Sequence, residues 1–214
     1  MKKAILLIML ITLPFISASS QEGIALTPRA GLNLATISST RQGSLKPGLN
    51  FGISANLMLT SQWGIETGLI YSMQGKNFNQ LSPSLDYINI PLMAKFYLTD
   101  YYTESRGLYL VAGPQIGFIA VMDKVGYIKG YEGMLMPDAI TKEFDAAAII
   151  GIGYELESGL TLSANLNFGI VNIAKDEIKA YTSYAQATTE EIVKRDRAYS
   201  NTVFQLNFGY RFKL

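Results

Sequence analysis

The chain of 214 residues contains no cysteine and no histidine. Without cysteine, it has no disulfide, no thiolate zinc site and no N-terminal cysteine for lipid attachment. Without histidine, a Ser-His-Asp triad is excluded. We therefore predict a non-enzymatic protein with no catalytic residues, no cofactor and no metal site.

Long apolar runs and a strong charge of one sign are also lacking. Beyond the N-terminal 20 residues, no apolar run approaches the 18 residues typical of a transmembrane helix. The 18 basic and 17 acidic residues nearly balance, and no basic stripe indicates a nucleic-acid partner. Three acidic residues, Asp138, Glu143 and Asp145, have two interpretations, a site for a hard cation or a solvated surface, and we favour the surface.

The N-terminus has the pattern of a secretory signal peptide. Lys2 and Lys3 precede an apolar run over residues 4–16, and Ala18 and Ser20 fit the −3 and −1 positions of a cleavage site before Gln21. The alternative is an uncleaved anchor, for which the run is short, since a membrane span needs about 20 apolar residues. We predict a signal peptide over residues 1–20 and a single domain over residues 21–214.

Apolar residues in the rest of the chain recur at every second position, which predicts β-strands. The clearest case is residues 160–171, where Leu160, Leu162 and Leu166 alternate with Thr161, Ser163 and Asn167. Eight segments show this period: 27–37, 49–59, 63–73, 87–98, 107–121, 146–156, 160–171 and 203–214. Pro114 lacks an N–H donor, so we expect a bulge beside it.

These segments are long enough to cross a membrane as tilted strands, which takes about 9 to 11 residues. The connections 60–62 and 157–159 are short and 99–106 is intermediate, whereas 38–46, 74–86, 122–143 and 173–198 are longer or more polar. Short turns face the periplasm in membrane barrels. The sequence therefore predicts an all-β fold: an eight-stranded antiparallel up-and-down transmembrane β-barrel in the outer membrane, with longer extracellular loops and both termini periplasmic.

Alternation alone leaves two face assignments open. A secreted lipocalin-like barrel would turn its apolar face inward around an apolar ligand, and a small-solute pore is a third possibility. We favour an apolar exterior because the apolar face carries almost no charge, whereas the other face is rich in Gly, Asn and Ser. Eight strands leave a lumen that side chains fill, so a filled lumen and a structural or surface-interaction role are expected.

Five charged residues on the polar face lie near the periplasmic ends of their segments: Arg29, Glu66, Lys95, Glu155 and Arg211. Charges inside a narrow barrel must be paired. We expect a Glu66–Lys95 pair and a contact from Glu155 to Arg29 or Arg211. We interpret the cluster as a structural plug rather than a path for protons or ions.

Aromatic residues of the apolar face concentrate near the same ends and predict an interfacial girdle: Trp63, Phe96, Tyr154, Tyr210 and Phe212. Phe51, Tyr71 and Phe168 lie toward the opposite ends and form a less distinct second girdle.

The longer loops are the expected contact surface. We predict outer-membrane lipid and the barrel-assembly machinery as partners, an envelope or extracellular protein that docks on loops 122–143 and 173–198, and a monomeric state. Thr188 and Glu191 have the spacing of a capping box, which predicts a short helix in the second loop.

Several segments together resemble the PorT-like outer-membrane β-barrel proteins of Gram-negative envelopes, over residues 24–214. The most specific is Tyr87-Ile88-Asn89-Ile90-Pro91-Leu92-Met93-Ala94-Lys95-Phe96-Tyr97, and residues 29–35, 68–75, 112–117 and 207–212 are barrel-like patterns of wider occurrence. The resemblance implies the barrel and its membrane, and it implies no shared reaction or catalytic residue.

Overall fold

The computed structural model describes residues 24–37, 44–75, 84–98, 107–122, 142–173, 177–184, 187–194 and 200–214. These residues form eleven strands: β1 (Ile24–Ile37), β2 (Lys46–Met58), β3 (Trp63–Gly75), β4 (Ser84–Tyr97), β5 (Gly107–Met122), β6 (Phe144–Glu155), β7 (Leu160–Gly169), β8 (Glu177–Tyr184), β9 (Ala187–Lys194), β10 (Asn201–Tyr210) and β11 (Phe212–Lys213). Within the described ranges, no helix is long and apolar enough to cross a membrane.

The sheet closes on itself. Each of the strands β1 to β6 pairs antiparallel with the next, β7 pairs with β10, and β10 returns to β1. The closing seam runs from Arg29 opposite Gly209 to Ile37 opposite Asn201. Strand β11 continues β10 beyond Arg211 and pairs with Ala25 and Leu26. The predicted eight-stranded antiparallel up-and-down barrel is therefore confirmed, with β10 and β11 forming the eighth strand.

Two tight turns mark one end of the barrel, which we call the turn end; the opposite end is the loop end. In the first turn, Thr60 Oγ1 accepts a hydrogen bond of 2.9 Å from the Trp63 N–H. In the second turn, Gly159 has a φ of +91°, a conformation that glycine adopts without a Cβ clash. Both turns are local structures that the chain specifies within a few residues.

The expected bulge lies elsewhere than predicted. The register between β4 and β5 is the same on both sides of Pro114, and it shifts instead between Asp86 and Tyr87, where Val121 and Ile119 are the successive partners. Pro114 also stays opposite Ala148 of β6. The missing N–H of Pro114 thus leaves the strand register unchanged, and the extra residue, Ala120, is accommodated near the loop end.

The predicted short helix in the loop 173–198 is wrong. In the segment of the chain that connects β7 to β10, strands β8 and β9 form a separate two-stranded sheet. In this sheet, Thr188 pairs with Ser183 and Glu191 pairs with Ala180. Residues 187–194 contain Thr188, Thr189, Ile192 and Val193, and β-branched residues favour strands. Pairing with β8 therefore outweighs the local capping signal.

Large apolar side chains cover the outside of the barrel. Exposed examples come from every barrel strand: Leu32, Phe51, Leu69, Leu92, Leu110, Ile150, Leu162 and Leu206. Alternating neighbours point inward and are buried, among them Asn33, Asn50, Lys95 and Asn207. This arrangement opposes a lipocalin-like barrel, which would turn its aliphatic residues inward. An apolar exterior on strands of 10 to 16 residues matches the hydrocarbon layer of a membrane.

We predict that an arginine at the middle of this exterior destabilises the protein more than one at its edge. Leu206 lies in the middle of β10, opposite Leu32 and Ala164, whereas Leu98 lies just beyond β4 at the turn end. Leu206→Arg should lower the free energy of unfolding by about 2–4 kcal/mol and Leu98→Arg by about 0–1 kcal/mol. Urea unfolding in lipid vesicles measures both, and equal losses would contradict the membrane-facing assignment.

Candidate functional site

The five predicted charged residues meet inside the barrel near its turn end. Their side chains form a chain of alternating sign: Arg29, Glu66, Lys95, Glu155 and Arg211. Arg29 Nη1 lies 3.2 Å from Glu66 Oε1, and Lys95 Nζ lies 3.3 Å from Glu66 Oε2. Lys95 Nζ is also 3.8 Å from Glu155 Oε2, and Arg211 Nε is 2.8 Å from Glu155 Oε1. The expected contacts Glu66–Lys95 and Glu155–Arg211 are both present, and Arg29 contacts Glu66 rather than Glu155.

The order of the strands explains this geometry. Glu66 and Lys95 lie on the neighbouring strands β3 and β4, whereas Lys95 and Glu155 are separated by β5. Arg211 interrupts the eighth strand, because its N–H donates a 2.7 Å hydrogen bond to Gly159 O of the second turn. Each glutamate therefore has two cationic neighbours, which offsets the cost of burying its charge.

Two tyrosines that were not predicted from the sequence complete the ionic layer. Tyr97 donates a 3.1 Å hydrogen bond to Glu155 Oε2. Lys95 Nζ lies 3.9 Å from the centre of the Tyr109 ring and 5.1 Å from that of Tyr97, which is cation–π geometry. A Cβ on Gly153 would come within 2.2 Å of Tyr109 Cζ, so glycine at this position gives the ring its space.

Part of the inner face is apolar, which differs from the expected lining of Gly, Asn and paired ions. Met58, Met93, Tyr97, Tyr109, Val111 and Ile149 form one buried cluster. Five of these residues come from β4, β5 and β6. The lumen therefore has an apolar side, and the aromatic rings connect this cluster to the ionic layer.

Amide side chains form the opposite side of the lumen, on β1, β2, β3, β7 and β10. Asn33 is the centre of this network: its Nδ2 donates to Ser72 Oγ at 2.9 Å, and its Oδ1 accepts from Asn50 at 2.7 Å and from Gln205 at 3.1 Å. Asn167 extends the network with a 3.4 Å hydrogen bond to Gln205. The network crosses the seam between β1 and β10 on the inside of the barrel.

A third polar group lies near the loop end. Asn201 Nδ2 donates to Asp145 Oδ2 at 2.8 Å and to the Tyr87 hydroxyl at 3.3 Å. Tyr87 belongs to β4 and Asn201 to β10, which are four strands apart in either direction around the barrel. This hydrogen bond therefore spans the full width of the lumen.

The five predicted aromatics lie on the outer face at the turn end. Trp63, Tyr154, Tyr210 and Phe212 are exposed and Phe96 is half-exposed. Trp63 and Phe96 pair across strands with ring centres 4.8 Å apart, the same distance as between Tyr210 and Phe212. At the loop end, Phe51 stacks on Tyr71 at 5.0 Å, and Phe118 contacts Phe144 at 5.7 Å. Phe118 and Phe144 extend the second girdle beyond the residues predicted from the sequence.

The three acidic residues considered as a cation site do not form one together. Glu143 is exposed, Asp145 points into the lumen, and Asp138 lies outside the described residues. Within the described ranges, no three acidic side chains come close enough to hold a metal ion. The loops 122–143 and 173–198 lie largely outside these ranges as well, apart from the backbone of β8 and β9.

We predict that Lys95 is the most costly member of the ionic layer to remove, because it lies between both glutamates. Lys95→Met should lower the free energy of unfolding by about 3–5 kcal/mol, since it leaves buried carboxylates with less compensation. Lys213→Met, at the exposed lysine two residues after Arg211, is the control and should change stability by about 0.5 kcal/mol or less. Urea unfolding in vesicles provides the comparison, and similar losses in both variants would refute the assigned role of Lys95.

Comparison with solved structures places the fold among outer-membrane barrels. The outer membrane protein OprG from Pseudomonas aeruginosa superimposes with a TM-score of 0.52 at 14% identity, over 91% of this chain and 98% of that one. Neisserial surface protein A matches with a TM-score of 0.47 at 13% identity, over 90% and 97% of the two chains. The attachment invasion locus protein Ail of Yersinia pestis gives 0.46 at 13%, over 90% and 100%. No curated protein matches the chain.

A family model described as "Outer membrane protein beta-barrel domain" matches residues 17–175. The match covers more than half of the chain and includes strands β1 to β7 in full. With the closed barrel and its apolar exterior, this match shows that the protein belongs to the outer membrane protein beta-barrel domain family.

Proposed function

We propose that the protein is a non-enzymatic outer-membrane barrel with a sealed lumen, which presents its loop end to the outside for a structural or surface-interaction role. The observation that carries this proposal is the set of three polar layers across the lumen: the ionic layer at the turn end, the amide network in the middle, and the Tyr87–Asn201–Asp145 group at the loop end. The lack of histidine supports the non-enzymatic part.

The proposed seal is supported by the way in which these layers connect distant strands. The ionic layer links β1, β3, β4, β6 and the eighth strand, and the group at the loop end joins β4 to β10. We infer that side chains that hold one another across the lumen block a continuous water path. This arrangement favours a closed barrel over a small-solute pore.

The orientation rests on the two ends of the barrel. The described N- and C-terminal segments meet at the turn end, where the Leu214 N–H donates a 3.1 Å hydrogen bond to Ile24 O. Because short turns face the periplasm in outer-membrane barrels, we place both termini there. The β8–β9 hairpin then lies outside, as a contact surface for an envelope or extracellular protein.

Three further assignments belong to this proposal. Residues 1–20 act as a cleaved signal peptide. The barrel-assembly machinery recognises the alternating C-terminal aromatic residues Phe208, Tyr210 and Phe212. The inserted barrel is a monomer. Within the family, the segment 87–97 favours the PorT-like branch. In β4, this segment supplies both Lys95 and Tyr97 to the ionic layer, so its sequence serves the lumen directly.

Orientation can be tested with single cysteines, because the natural chain has none. Ser183→Cys places a thiol on the β8–β9 hairpin, and Ser158→Cys places one in the turn between β6 and β7. We predict that a membrane-impermeant maleimide labels the first variant in intact cells and the second only after the outer membrane is permeabilised. The reverse pattern would overturn the orientation.

The sealed lumen can be tested in planar lipid bilayers. We predict that the purified protein gives no stepwise ion conductance. A Tyr87→Ala/Tyr97→Ala variant removes one ring from each end of the lumen and should conduct, which checks that the assay detects insertion. Stable conductance steps from the unaltered protein would favour the pore instead.

A further inference from the structure

Asp145 differs from the other buried carboxylates of the lumen. Glu66 and Glu155 each contact two cationic side chains. Asp145 is only 7% exposed, and its one side-chain partner among the described residues is the neutral amide of Asn201. Burying a carboxylate without a counter-ion costs folding free energy. A positive charge close to Asp145 would therefore stabilise the folded protein.

The surroundings of Asp145 contain unused hydrogen-bonding capacity. Asp145 Oδ1 and Asn89 Nδ2 are buried, and neither has a hydrogen-bond partner in the described part of the chain. Both residues border Gly117: a Cβ placed there would lie 2.6 Å from Asn89 Oδ1, 3.4 Å from Tyr87 Cδ1 and 3.7 Å from Asp145 Cβ. Asn89 and Asp145 therefore flank Gly117 on the inner wall, and Asn201 Nδ2 links the Asp145 carboxylate to the Tyr87 hydroxyl.

We propose that this group, Asp145 with Tyr87, Asn89 and Asn201, binds a small monovalent cation at the loop end of the lumen. The oxygen-bearing side chains suit a hard ion or a protonated amine and do not suit soft transition metals. A single carboxylate balances one positive charge, whereas Ca²⁺ takes six to eight oxygen ligands. In this proposal, Asp145 Oδ1 and the Tyr87 hydroxyl oxygen bind the cation, and a water of hydration accepts a hydrogen bond from Asn89 Nδ2.

The group lies at the loop end of the lumen. Asp145 is the second residue of β6 and Asn201 the first residue of β10, so both lie where their strands end. An ion entering from the loop end meets them before the amide network. Binding here does not require passage through the lumen, so the site is independent of whether the barrel is sealed.

The test is thermal unfolding of the purified full-length protein in a non-ionic detergent, with added NaCl, KCl or methylammonium chloride. Tetramethylammonium chloride keeps the ionic strength constant, because it is bulky and has no N–H donor. A ligand that binds only the folded state raises the Tm with a saturable dependence on its concentration. We expect such a rise with at least one of the three salts, and the salt that produces it distinguishes an alkali-metal ion from an amine.

Two variants and one control make the result specific. Asp145→Asn keeps the shape and removes the charge, so the Tm should no longer respond to the salt. Tyr87→Phe removes one ligand oxygen and should raise the half-saturating concentration by roughly twofold to tenfold. Glu143→Gln alters the exposed acidic residue two positions earlier and should respond like the natural protein.

The proposal is overturned if the natural protein shows no saturable response to any of the three salts. It is equally overturned if Asp145→Asn responds as the natural protein does. Conductance of the natural protein or a reversed labelling pattern contradicts the proposed function but not this site, since the salt response of the Tm is measured independently of pore activity and orientation.

Discussion

Closure of the sheet along the seam between β1 and β10 is the constraint on which the rest of this structure depends. A lipid environment offers no water to satisfy backbone N–H and C=O groups, so each strand must find partners on both sides. The ladder from Arg29–Gly209 to Ile37–Asn201 removes the last free edges, and β11 extends the closure to Ala25 and Leu26. In the closed barrel, successive side chains of each strand point alternately to the lipid and to a narrow lumen.

A lumen enclosed by eight strands is narrow, and all side chains at the inward-facing positions must fit inside it. Glycines at Gly153 and Gly31 make room where Tyr109 and Asn207 project across the wall. Opposite charges then meet because few other positions are available to them, and Lys95 contacts both glutamates and faces the Tyr109 ring. The same crowding produces an apolar side around Met93 and an amide side around Asn33. Apolar side chains pack on one another on the first side, and polar side chains form hydrogen bonds with one another on the second.

The sequence was sufficient to predict the eight barrel strands, the closed barrel and the Glu66–Lys95 and Glu155–Arg211 contacts, because all of these follow from a period of two and from strand order. It did not predict the contacts of Arg29 with Glu66 and of Lys95 with Glu155. The charged residues stood out as the few ions on a polar face. Tyr97, Tyr109 and Asn201 were missed because tyrosine and asparagine are ordinary strand or turn residues, and only the register shows which of them face each other across the lumen. The β8–β9 hairpin was missed for a related reason: a capping signal spans four residues, whereas strand pairing depends on a partner that the local pattern does not reveal.

The two ends of the lumen balance negative charge in different ways. At the turn end, two glutamates share three cationic side chains supplied by three barrel strands, so folding itself brings the counter-charges. At the loop end, the described strands supply Asp145 with an amide and place a hydroxyl nearby, which are dipoles and not charges. Dipoles orient a carboxylate but do not neutralise it, and the mouth of a barrel is where ions from the surrounding water are within reach. The turn end therefore carries its counter-charges within the fold, whereas the proposed cation site would draw the counter-charge of the loop end from solution.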